Sequence, residues 1–400
     1  MTSEFLIARI PKTRSTAIER WALASIQLTV RTAPVRFVLW DGFALPHTTA
    51  PIVGSIHFKS RRALFSWVWD AALYFGESYM AGDIAVEGDL LEVLEAIYRA
   101  VEAPARRPWW LWQKSNDATS ARENVHHHYD LGNDFYRLWL DDEMVYTCAY
   151  FPDPSASLED AQTAKMDLVC RKLRLRPGDR VVEAGCGWGA LALFMARRYG
   201  VRVRAFNISA DQLAFARERA AREGLTDRVE FVEDDYRRMQ GRFDVFVSVG
   251  MLEHVGKPDY PSLGRVIDRT LAPDGRALLH FIGRNRAEPL NPWIRKRIFP
   301  GAYVPALREV FGEILEPHAF SVLDVENLRL HYAKTLEHWR RRFDGSAKQI
   351  AMMFDDAFVR AWRLYLAGSQ ASFSTGSMQL FQVLFARGGS NALPWTRISG

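Results

Sequence analysis

Strand-like and helix-like patterns alternate along the second half of the chain. Short apolar runs lie at 180–184, 201–207, 229–234, 244–250 and 276–283, and segments with helical periodicity lie near 190, at 210–223 and at 260–271. This alternation predicts an α/β fold with a doubly wound parallel sheet, which binds its ligands at the carboxyl ends of the strands. Two later apolar runs, 321–330 and 378–387, complete the predicted sheet, with helices expected from 333 to 371.

The first 100 residues follow a different pattern and predict a smaller α+β domain. A helix is predicted at 13–29, with an apolar stripe made of Ile18, Trp21, Ala22, Ser25 and Leu28. We expect this stripe to pack against its own domain rather than a membrane, because the polar face of the helix carries few basic residues. Short β-like runs at 36–42 and 54–58 and an aromatic segment at 63–83 follow.

Residues 101–121 are predicted to form a linker, because the prolines, basic residues and tryptophans there show no stable period. Its tryptophans and neighbouring basic residues are Trp109, Trp110, Trp112, Arg106, Arg107 and Lys114. Indole rings and basic side chains suit the headgroup boundary of a bilayer. Two interpretations stay open, an interfacial contact and a linker folded onto its neighbour.

The stretch from 124 to 151 combines histidines with many aromatic residues. Its three consecutive histidines, 126–128, do not predict a metal site, since neighbouring side chains diverge and no carboxylate or cysteine stands at ligand spacing. The aromatic residues are Tyr129, Phe135, Tyr136, Tyr146, Tyr150 and Phe151. We expect them to form an aromatic wall.

A helix is predicted at 157–173, immediately before the sheet begins. Ser157 and Asp160 resemble a capping box at its start. The apolar residues at helical spacing are Ala161, Ala164, Leu168 and Val169. A turn at Pro177 and Gly178 then leads into the first strand.

A glycine-rich turn joins that first strand to the next helix. Residues 183–189, EAGCGWG, place Glu183 on the strand before Gly185 and Gly187. Glycines let the backbone approach a ligand closely, and the helix N-terminus supplies backbone donors. The spacing alone also occurs in dinucleotide binders and structural crossovers. An acid on the strand favours the cationic methionine moiety of S-adenosylmethionine, whereas an NAD site expects an acid at the end of the next strand, where Asn207 stands.

Composition and charge narrow the class of protein. The chain has 400 residues, of which 48% are hydrophobic, enough for an α/β core and a second domain. Its net charge of +5 comes from 52 basic and 47 acidic residues. This slight surplus either aids solubility, which is the default interpretation, or favours an anionic membrane surface. The three cysteines, Cys148, Cys170 and Cys186, form no disulfide framework and favour a reducing, cytoplasmic compartment.

No targeting or spanning segment is predicted. The first residues lack the small-residue cleavage site of a signal peptide. No apolar run reaches the roughly 18 residues that cross a bilayer. We therefore expect any contact with lipid to be peripheral.

Several blocks of the sequence resemble one family. They are GESYMAGD at 76–83, HYDLGNDFY at 128–136, YTCAYF at 146–151, EAGCGWG at 183–189, SVGMLEHVG at 248–256, LLHFIG at 278–283 and PWIRKRIFPG at 292–301. In this order they resemble the cyclopropane-fatty-acid-phospholipid synthases, S-adenosylmethionine-dependent enzymes related to the mycolic acid cyclopropane synthases. The resemblance implies a Rossmann-like methyltransferase domain at 122–400 behind the linker and the N-terminal domain at 1–100.

The resemblance also implies the residues of the site. The cofactor contacts carry over to Tyr146, Thr147, Glu183, Gly185, Gly187, Gln212 and Asp235. A bicarbonate ion is implied, with ligands carried over to Cys148, Glu253, His280, Tyr332 and the backbone of Ile282. No metal ion is implied.

The implied reaction is methyl transfer to an alkene, after which proton loss to bicarbonate closes a cyclopropane ring. The aromatic faces of Tyr136, Tyr150 or Phe281 are candidates to stabilise the cation formed between these steps. Thr147, Glu183 and Phe281 stand where the family commonly has serine, aspartate and threonine. Phe281, bulkier and apolar, motivates an alternative in which the cation loses another proton and no ring forms.

The leading hypothesis is therefore cyclopropanation of unsaturated acyl chains in membrane phospholipids. The alternative is a C-methyltransferase that gives a methylene- or methyl-branched chain. A non-catalytic lipid- or nucleotide-binding module and a nicotinamide-dependent dehydrogenase are weaker hypotheses. The resemblance implies a homodimer bound peripherally to the inner face of the membrane, with no nucleic-acid partner.

Overall fold

The structure is a computed structural model that describes residues 14–46, 51–101 and 131–391. The linker tryptophans, the three histidines and Tyr129 lie outside these residues. Numbered along the described chain, the main helices and strands are α1 (Ala17–Thr29), β1 (Val35–Val38), β2 (Gly54–Phe58), α2 (Arg61–Ala81), β3 (Ile84–Gly88), α3 (Leu90–Ala100), α4 (Asn133–Arg137), α5 (Leu158–Lys172), β4 (Arg180–Ala184), α6 (Ala190–Tyr199), β5 (Arg202–Asn207), α7 (Ala210–Arg222), β6 (Val229–Glu233), β7 (Phe243–Val249), α8 (Leu252–Val255), α9 (Tyr260–Thr270), β8 (Leu271–Gly283), α10 (Pro292–Arg297), α11 (Leu307–Val310), β9 (Phe320–Asn327), α12 (Arg329–Gly345), α13 (Ala347–Met353), α14 (Asp356–Thr375) and β10 (Gln379–Arg387).

The described residues form two compact units. The first contains the residues before 102 together with Asn291–Ile298 and Leu336–Ser377. Its sheet has the order β1-β2-β3, in which β1 and β2 are parallel and β2 and β3 are antiparallel. The predicted boundary near residue 100 assumed a unit that is continuous along the chain. The first unit is instead discontinuous, because α14 packs against α2 and α3.

The second unit is built on a seven-stranded sheet. Its order is β6-β5-β4-β7-β8-β10-β9. The five strands from β6 to β8 pair in parallel, and β10 runs antiparallel to both β8 and β9. The predicted doubly wound α/β sheet is confirmed, and both late apolar runs join it as predicted.

Helix α1 forms as predicted but buries another face. Ile18, Trp21 and Leu28 are 68%, 64% and 70% exposed, whereas Leu23 and Ile26 are buried. The predicted stripe is therefore wrong at these three positions, whereas Ala22 is buried as predicted. Glu19 turns inward instead, because its carboxylate closes a capping box with Thr16 and pairs with Arg61.

The two faces of the large sheet carry separate cores. On β8, Leu278 packs into the core that contains Val181 and Val203. The alternate residues Leu279 and Phe281 pack into the other core. Side chains alternate along a strand, so His280 lies on the Leu278 side and Phe281 on the opposite side. No helix within the described ranges combines the length and apolarity of a membrane span.

Candidate active site

A cleft lies at the carboxyl ends of β4, β5 and β7. It measures about 1140 Å³, including space open to solvent. The residues predicted to contact the cofactor are all on its wall: Tyr146, Thr147, Glu183, Gly185, Gly187, Gln212 and Asp235. Residues that are far apart in the sequence thus meet at the edge of the sheet where an α/β fold binds ligands.

The glycine turn forms one side of the cleft. Gly185, Gly187 and Gly189 have φ angles of +80°, +54° and +82°, which side-chain-bearing residues rarely adopt. The N–H groups of Gly185 and Cys186 donate to the carbonyl of Phe206 at 2.9 and 3.1 Å, which ties the turn to β5. Helix α6 begins directly afterwards, so its free backbone N–H groups face the cleft.

Glu183 is a buried acid one residue before the end of β4. Its side chain is 2% exposed, and Oε2 has no hydrogen-bond partner among the described residues. Burial raises the pKa of Glu183 to about 8, although the positive charge of Lys165 opposes that shift. A cationic ligand group in the cleft would satisfy this oxygen and restore its charge.

The other end of the cleft carries amide and carboxylate groups. Asn207 Nδ2 donates to Gln212 Oε1 at 2.8 Å and to the Gly187 carbonyl at 3.2 Å. Gln212 is buried, and its Nε2 has no partner within the described part of the chain. Asp235 Oδ2 accepts from Arg237 at 2.8 Å. The unpartnered amide fits a polar ligand such as a nucleoside.

The segment 145–148 is held by side chains that the sequence prediction missed. Asp141 Oδ1 accepts from the Val145 N–H at 2.8 Å. Gln162 Nε2, on α5, donates to the Thr147 carbonyl at 2.8 Å, and Lys165 Nζ donates to Thr147 Oγ1 at 3.0 Å. The predicted periodicity of α5 is partly wrong, since Ala164 and Leu168 are only half-buried while Gln162 and Lys165 are buried.

Two of the residues predicted to bind bicarbonate are joined directly. Glu253 Oε1 accepts from the Ile282 N–H at 2.5 Å. Oε2 of the same buried carboxyl has no partner in the described residues. Burial raises the pKa of Glu253 to about 7, and the bond from Ile282 opposes that shift. Glu253 is therefore a buried carboxyl that changes its protonation state near neutral pH.

His280 lies beside this pair on β8. Its backbone carbonyl accepts from the N–H of Gly250, a residue of the cleft wall, at 2.8 Å. Gln382 Nε2 lies 3.0 Å from His280 Nδ1, as the β8–β10 register dictates. Burial holds the pKa of His280 well below its usual range, so the ring is neutral. Because an amide nitrogen donates, His280 Nδ1 accepts and Nε2 carries the proton.

His280 Nε2 is buried and has no partner among the residues described. The sequence did not single out Gln382, although a glutamine within the apolar run of β10 is an unusual residue for a buried strand. It orients the ring and sets its tautomer. The ring thus offers a neutral N–H donor to the site.

Cys148 and Tyr332 complete the predicted set. Cys148 is fully buried directly after Thr147, and its Sγ donates to the Ala149 carbonyl at 3.1 Å. Burial raises the pKa of the Cys148 thiol, which stays protonated. Tyr332 is buried on α12. That helix holds the same segment, since Thr335 Oγ1 accepts from the Ala149 N–H at 3.0 Å.

The aromatic residues that were candidates to stabilise the cation lie on different sides of the sheet. Tyr136 is buried against Tyr146 and Trp188, with ring centroids 5.5 and 5.0 Å apart. Tyr146 and Trp188 line the cleft. Phe281, by contrast, packs 5.9 Å from Phe381 in the core on the other face of the sheet. Phe281 was a candidate to stabilise the cation beside the proposed base, but its side chain lies in this core instead, because a strand alternates its side chains between the two faces of the sheet.

Two family models match the chain. The mycolic acid cyclopropane synthetase family matches residues 116–383. A domain of unknown function, DUF7884, matches residues 26–107. The first match covers more than half of the chain.

Named proteins agree with that match. A probable fatty acid methyltransferase of Pseudomonas putida is 36% identical over 396 residues, which cover 94% of this chain and 97% of that protein. The cyclopropane-fatty-acyl-phospholipid synthase of Escherichia coli is 43% identical over 267 residues, or 66% of this chain and 68% of that protein. The solved structure of mycolic acid cyclopropane synthase CmaA1, complexed with SAH and CTAB, aligns with a TM-score of 0.63 at 30% identity, covering 66% of this chain and 97% of that one.

The fold, the glycine turn and the sequence similarity thus indicate the same class of enzyme. The cleft contains unpartnered buried groups suited to a polar, cationic ligand, which fits S-adenosylmethionine. The chain belongs to the mycolic acid cyclopropane synthetase family and is an S-adenosylmethionine-dependent methyltransferase of the cyclopropane-fatty-acid synthase type.

Proposed function

We propose that the enzyme methylates the double bond of an unsaturated acyl chain in a membrane phospholipid and closes a cyclopropane ring. The observation that carries this proposal is the pair of buried, unpartnered atoms Glu253 Oε2 and His280 Nε2. An acceptor and a donor of this kind, next to a methyl-donor cleft, fit a site that moves a proton after methyl transfer.

S-adenosylmethionine, when bound, supplies an electrophilic methyl group. The cleft residues would hold it, with Glu183 and Thr147 at the methionine end and Gln212 and Asp235 at the adenosine end. Their pre-formed arrangement reduces the entropy lost when the methyl group meets its acceptor.

An alkene is a weak nucleophile and has no acidic proton for a base to remove. Positioning in a dry site therefore supplies much of the rate enhancement. Transfer leaves S-adenosylhomocysteine and a carbocation on the acyl chain. An aromatic ring on the cleft wall, such as that of Tyr146 or Trp188, would stabilise this cation. Tyr136 packs behind both of these rings. Loss of a proton from the added methyl group then closes the ring.

Bicarbonate would supply the base for that last step. The remaining groups fit a small oxyanion, since His280 Nε2–H is a donor and the Glu253 carboxyl accepts or donates near neutral pH. The Cys148 thiol would join them by turning its S–H away from the Ala149 carbonyl. Tyr332 would add a hydroxyl. The Ile282 N–H already donates to Glu253, so it orients that carboxyl.

Mass spectrometry of lipids from cells that express the enzyme tests the proposal. We expect phospholipid acyl chains that gain 14 Da and lose their double bond. Glu253→Gln should abolish most of this product. Glu309→Gln is the matched control, because Glu309 is also buried but both of its oxygens accept from Tyr303 at 2.9 Å. A retained double bond in the heavier chain would contradict ring closure.

The second candidate is methylation without ring closure. The name of the Pseudomonas putida relative, a probable fatty acid methyltransferase, favours it. Phe281 no longer favours this second candidate, since its side chain is buried on the other face of the sheet from His280. The same mass measurement separates the two candidates. We further propose a homodimer that binds the inner face of the membrane peripherally.

A further inference from the structure

Lys165 is a buried lysine on the wall of the cofactor cleft. It lies inside α5 and is only 2% exposed. An ammonium group has three donors. Among the described residues, Lys165 Nζ makes one hydrogen bond, to Thr147 Oγ1 at 3.0 Å, and no ion pair within contact distance. Two donors are therefore available to a ligand.

The other cationic groups of the wall are committed elsewhere. Arg237 pairs with Asp235 at 2.8 Å and with Asp259 at 3.3 Å. Burial lowers the pKa of His254 to about 4, so its ring is neutral. Among the described residues of this wall, Lys165 is thus the cation that makes no ion pair with a carboxylate.

Lys165 lies at the same end of the cleft as Glu183. Burial lowers the pKa of Lys165 to about 8 and raises the pKa of Glu183 to about 8. The charges of Asp141 and Glu183 oppose the shift of Lys165, and the charge of Lys165 opposes that of Glu183, so Lys165 and Glu183 lie within electrostatic range of each other. Glu183 offers a free buried oxygen, and Lys165 offers free buried donors. Together they present one negative and one positive group to whatever enters.

The methionine moiety of S-adenosylmethionine is a zwitterion with an α-ammonium and an α-carboxylate. We propose that Lys165 binds the α-carboxylate, while Glu183 takes the α-ammonium. This inference rests on the proposed cofactor site. It also explains why a lysine occupies a buried position. An isolated buried charge is costly, and a bound counter-ion offsets that cost.

A matched pair of ligands tests the inference by calorimetry without any lipid acceptor. S-adenosylmethionine and its decarboxylated analogue differ only in the carboxylate. We expect the unsubstituted enzyme to bind the analogue about 10- to 100-fold more weakly, the range for a lost hydrogen bond between charged groups. Lys165→Met should weaken S-adenosylmethionine binding by a similar factor and change the affinity for the analogue by less than threefold.

Lys172→Met is the matched control. Lys172 lies on the same helix but pairs with Asp324 at 3.5 Å and with Glu326, and it is not on the cleft wall. It should leave both affinities unchanged. Lys165→Gln, which keeps a donor for Thr147, replaces Lys165→Met if the latter does not fold.

The outcomes are distinct. An equal loss for both ligands in the Lys165 variants would overturn the inference, because Lys165 would then act only through Glu183 or Thr147. Equal affinity of the unsubstituted enzyme for the two ligands would overturn it without any variant. Glu183→Gln tests the cofactor site itself. If this variant binds S-adenosylmethionine and its decarboxylated analogue as tightly as the unsubstituted enzyme does, the proposed cofactor site is wrong, and not only the role of Lys165.

Discussion

Single buried groups set the chemistry of this enzyme. Glu253, His280 and Glu183 are all buried, and each has a side-chain atom with no partner among the described residues. Such atoms cost free energy in a folded protein. They mark the places where ligands are expected to complete the structure.

Glu253 makes the stability of the enzyme depend on pH. Burial raises its pKa from 4.5 to about 7, so the folded state holds this proton more tightly than the unfolded state. The contribution of Glu253 to stability therefore falls as pH rises from about 4.5 to about 7. Glu253→Gln lacks this titration. We expect the difference in free energy of unfolding, variant minus unsubstituted enzyme, to rise by up to about 3 kcal/mol between about pH 4.5 and about pH 8.

Urea denaturation at the two pH values measures this difference. Glutamine keeps the acceptor for the Ile282 N–H, so the variant is expected to fold. Glu233→Gln, which removes an exposed carboxylate at the end of β6, controls for the loss of one surface charge. A relative stability of Glu253→Gln that does not change with pH would contradict the prediction.

Gln382 is predicted to act by positioning His280. Gln382→Leu removes the donor to Nδ1, so the imidazole proton is no longer confined to Nε2. We expect kcat to fall by about tenfold with little change in the KM for S-adenosylmethionine. Nitrogen-15 NMR of the labelled ring should show a changed tautomer.

Gln379→Leu is the control for Gln382. Gln379 lies on the same strand and accepts from Asn327 Nδ2 at 2.8 Å, away from His280. A tautomer that is the same in Gln382→Leu and in the unsubstituted enzyme would refute the positioning role.

At the scale of elements, the glycine turn depends on both backbone conformation and space. Gly185 has a φ of +80°, and a Cβ added there would lie 2.8 Å from Met251 Cβ. Gly178 has a φ of +89°, with no atom within 4 Å of an added Cβ. An alanine at either position would adopt an unfavourable positive φ. Only the alanine at position 185 would also clash with Met251.

We therefore expect Gly178→Ala to destabilise the enzyme by about 1–2 kcal/mol and Gly185→Ala by roughly 1–3 kcal/mol more. Urea denaturation measures both, and calorimetry with S-adenosylmethionine should show weaker binding for Gly185→Ala alone. Equal destabilisation would mean that Met251 moves aside at no cost.

At the scale of the whole molecule, the first unit is assembled from distant parts of the chain. Helix α14 buries Trp362, Leu366 and Phe373 and packs against α2 and α3. Arg360, also on α14, donates to the Met80 carbonyl at 2.8 Å. The N-terminal segment alone therefore lacks part of its core.

We predict that a fragment of residues 1–101 does not form a stable fold. Its amide proton NMR spectrum should show the narrow dispersion of an unfolded chain, because the apolar faces of α2 and α3 have no cover. Adding a peptide that spans 336–377 tests whether the missing helix is the cause. A well-dispersed spectrum of the fragment alone would contradict the prediction.

The sequence by itself determined the alternation of strands and helices and the glycine turn. These are local patterns, since a period of two or 3.6 and a Gly-x-Gly spacing are visible within a short window. The family resemblance then supplied the roles of residues such as Cys148 and Tyr332, which taken singly look like ordinary core residues.

Only the tertiary structure decided which polar residues are buried and which face each element presents. Lys165 looks like an ordinary polar residue of a helix, and Gln382 stands out only as a polar residue within an apolar run. Their burial and their hydrogen bonds to Thr147 and His280 make them candidates for function. Phe281 and the exposed Ile18 and Trp21 were misplaced for the same reason. A pattern of apolar positions states that an element has a buried side, but packing against residues far away in the chain decides which side that is.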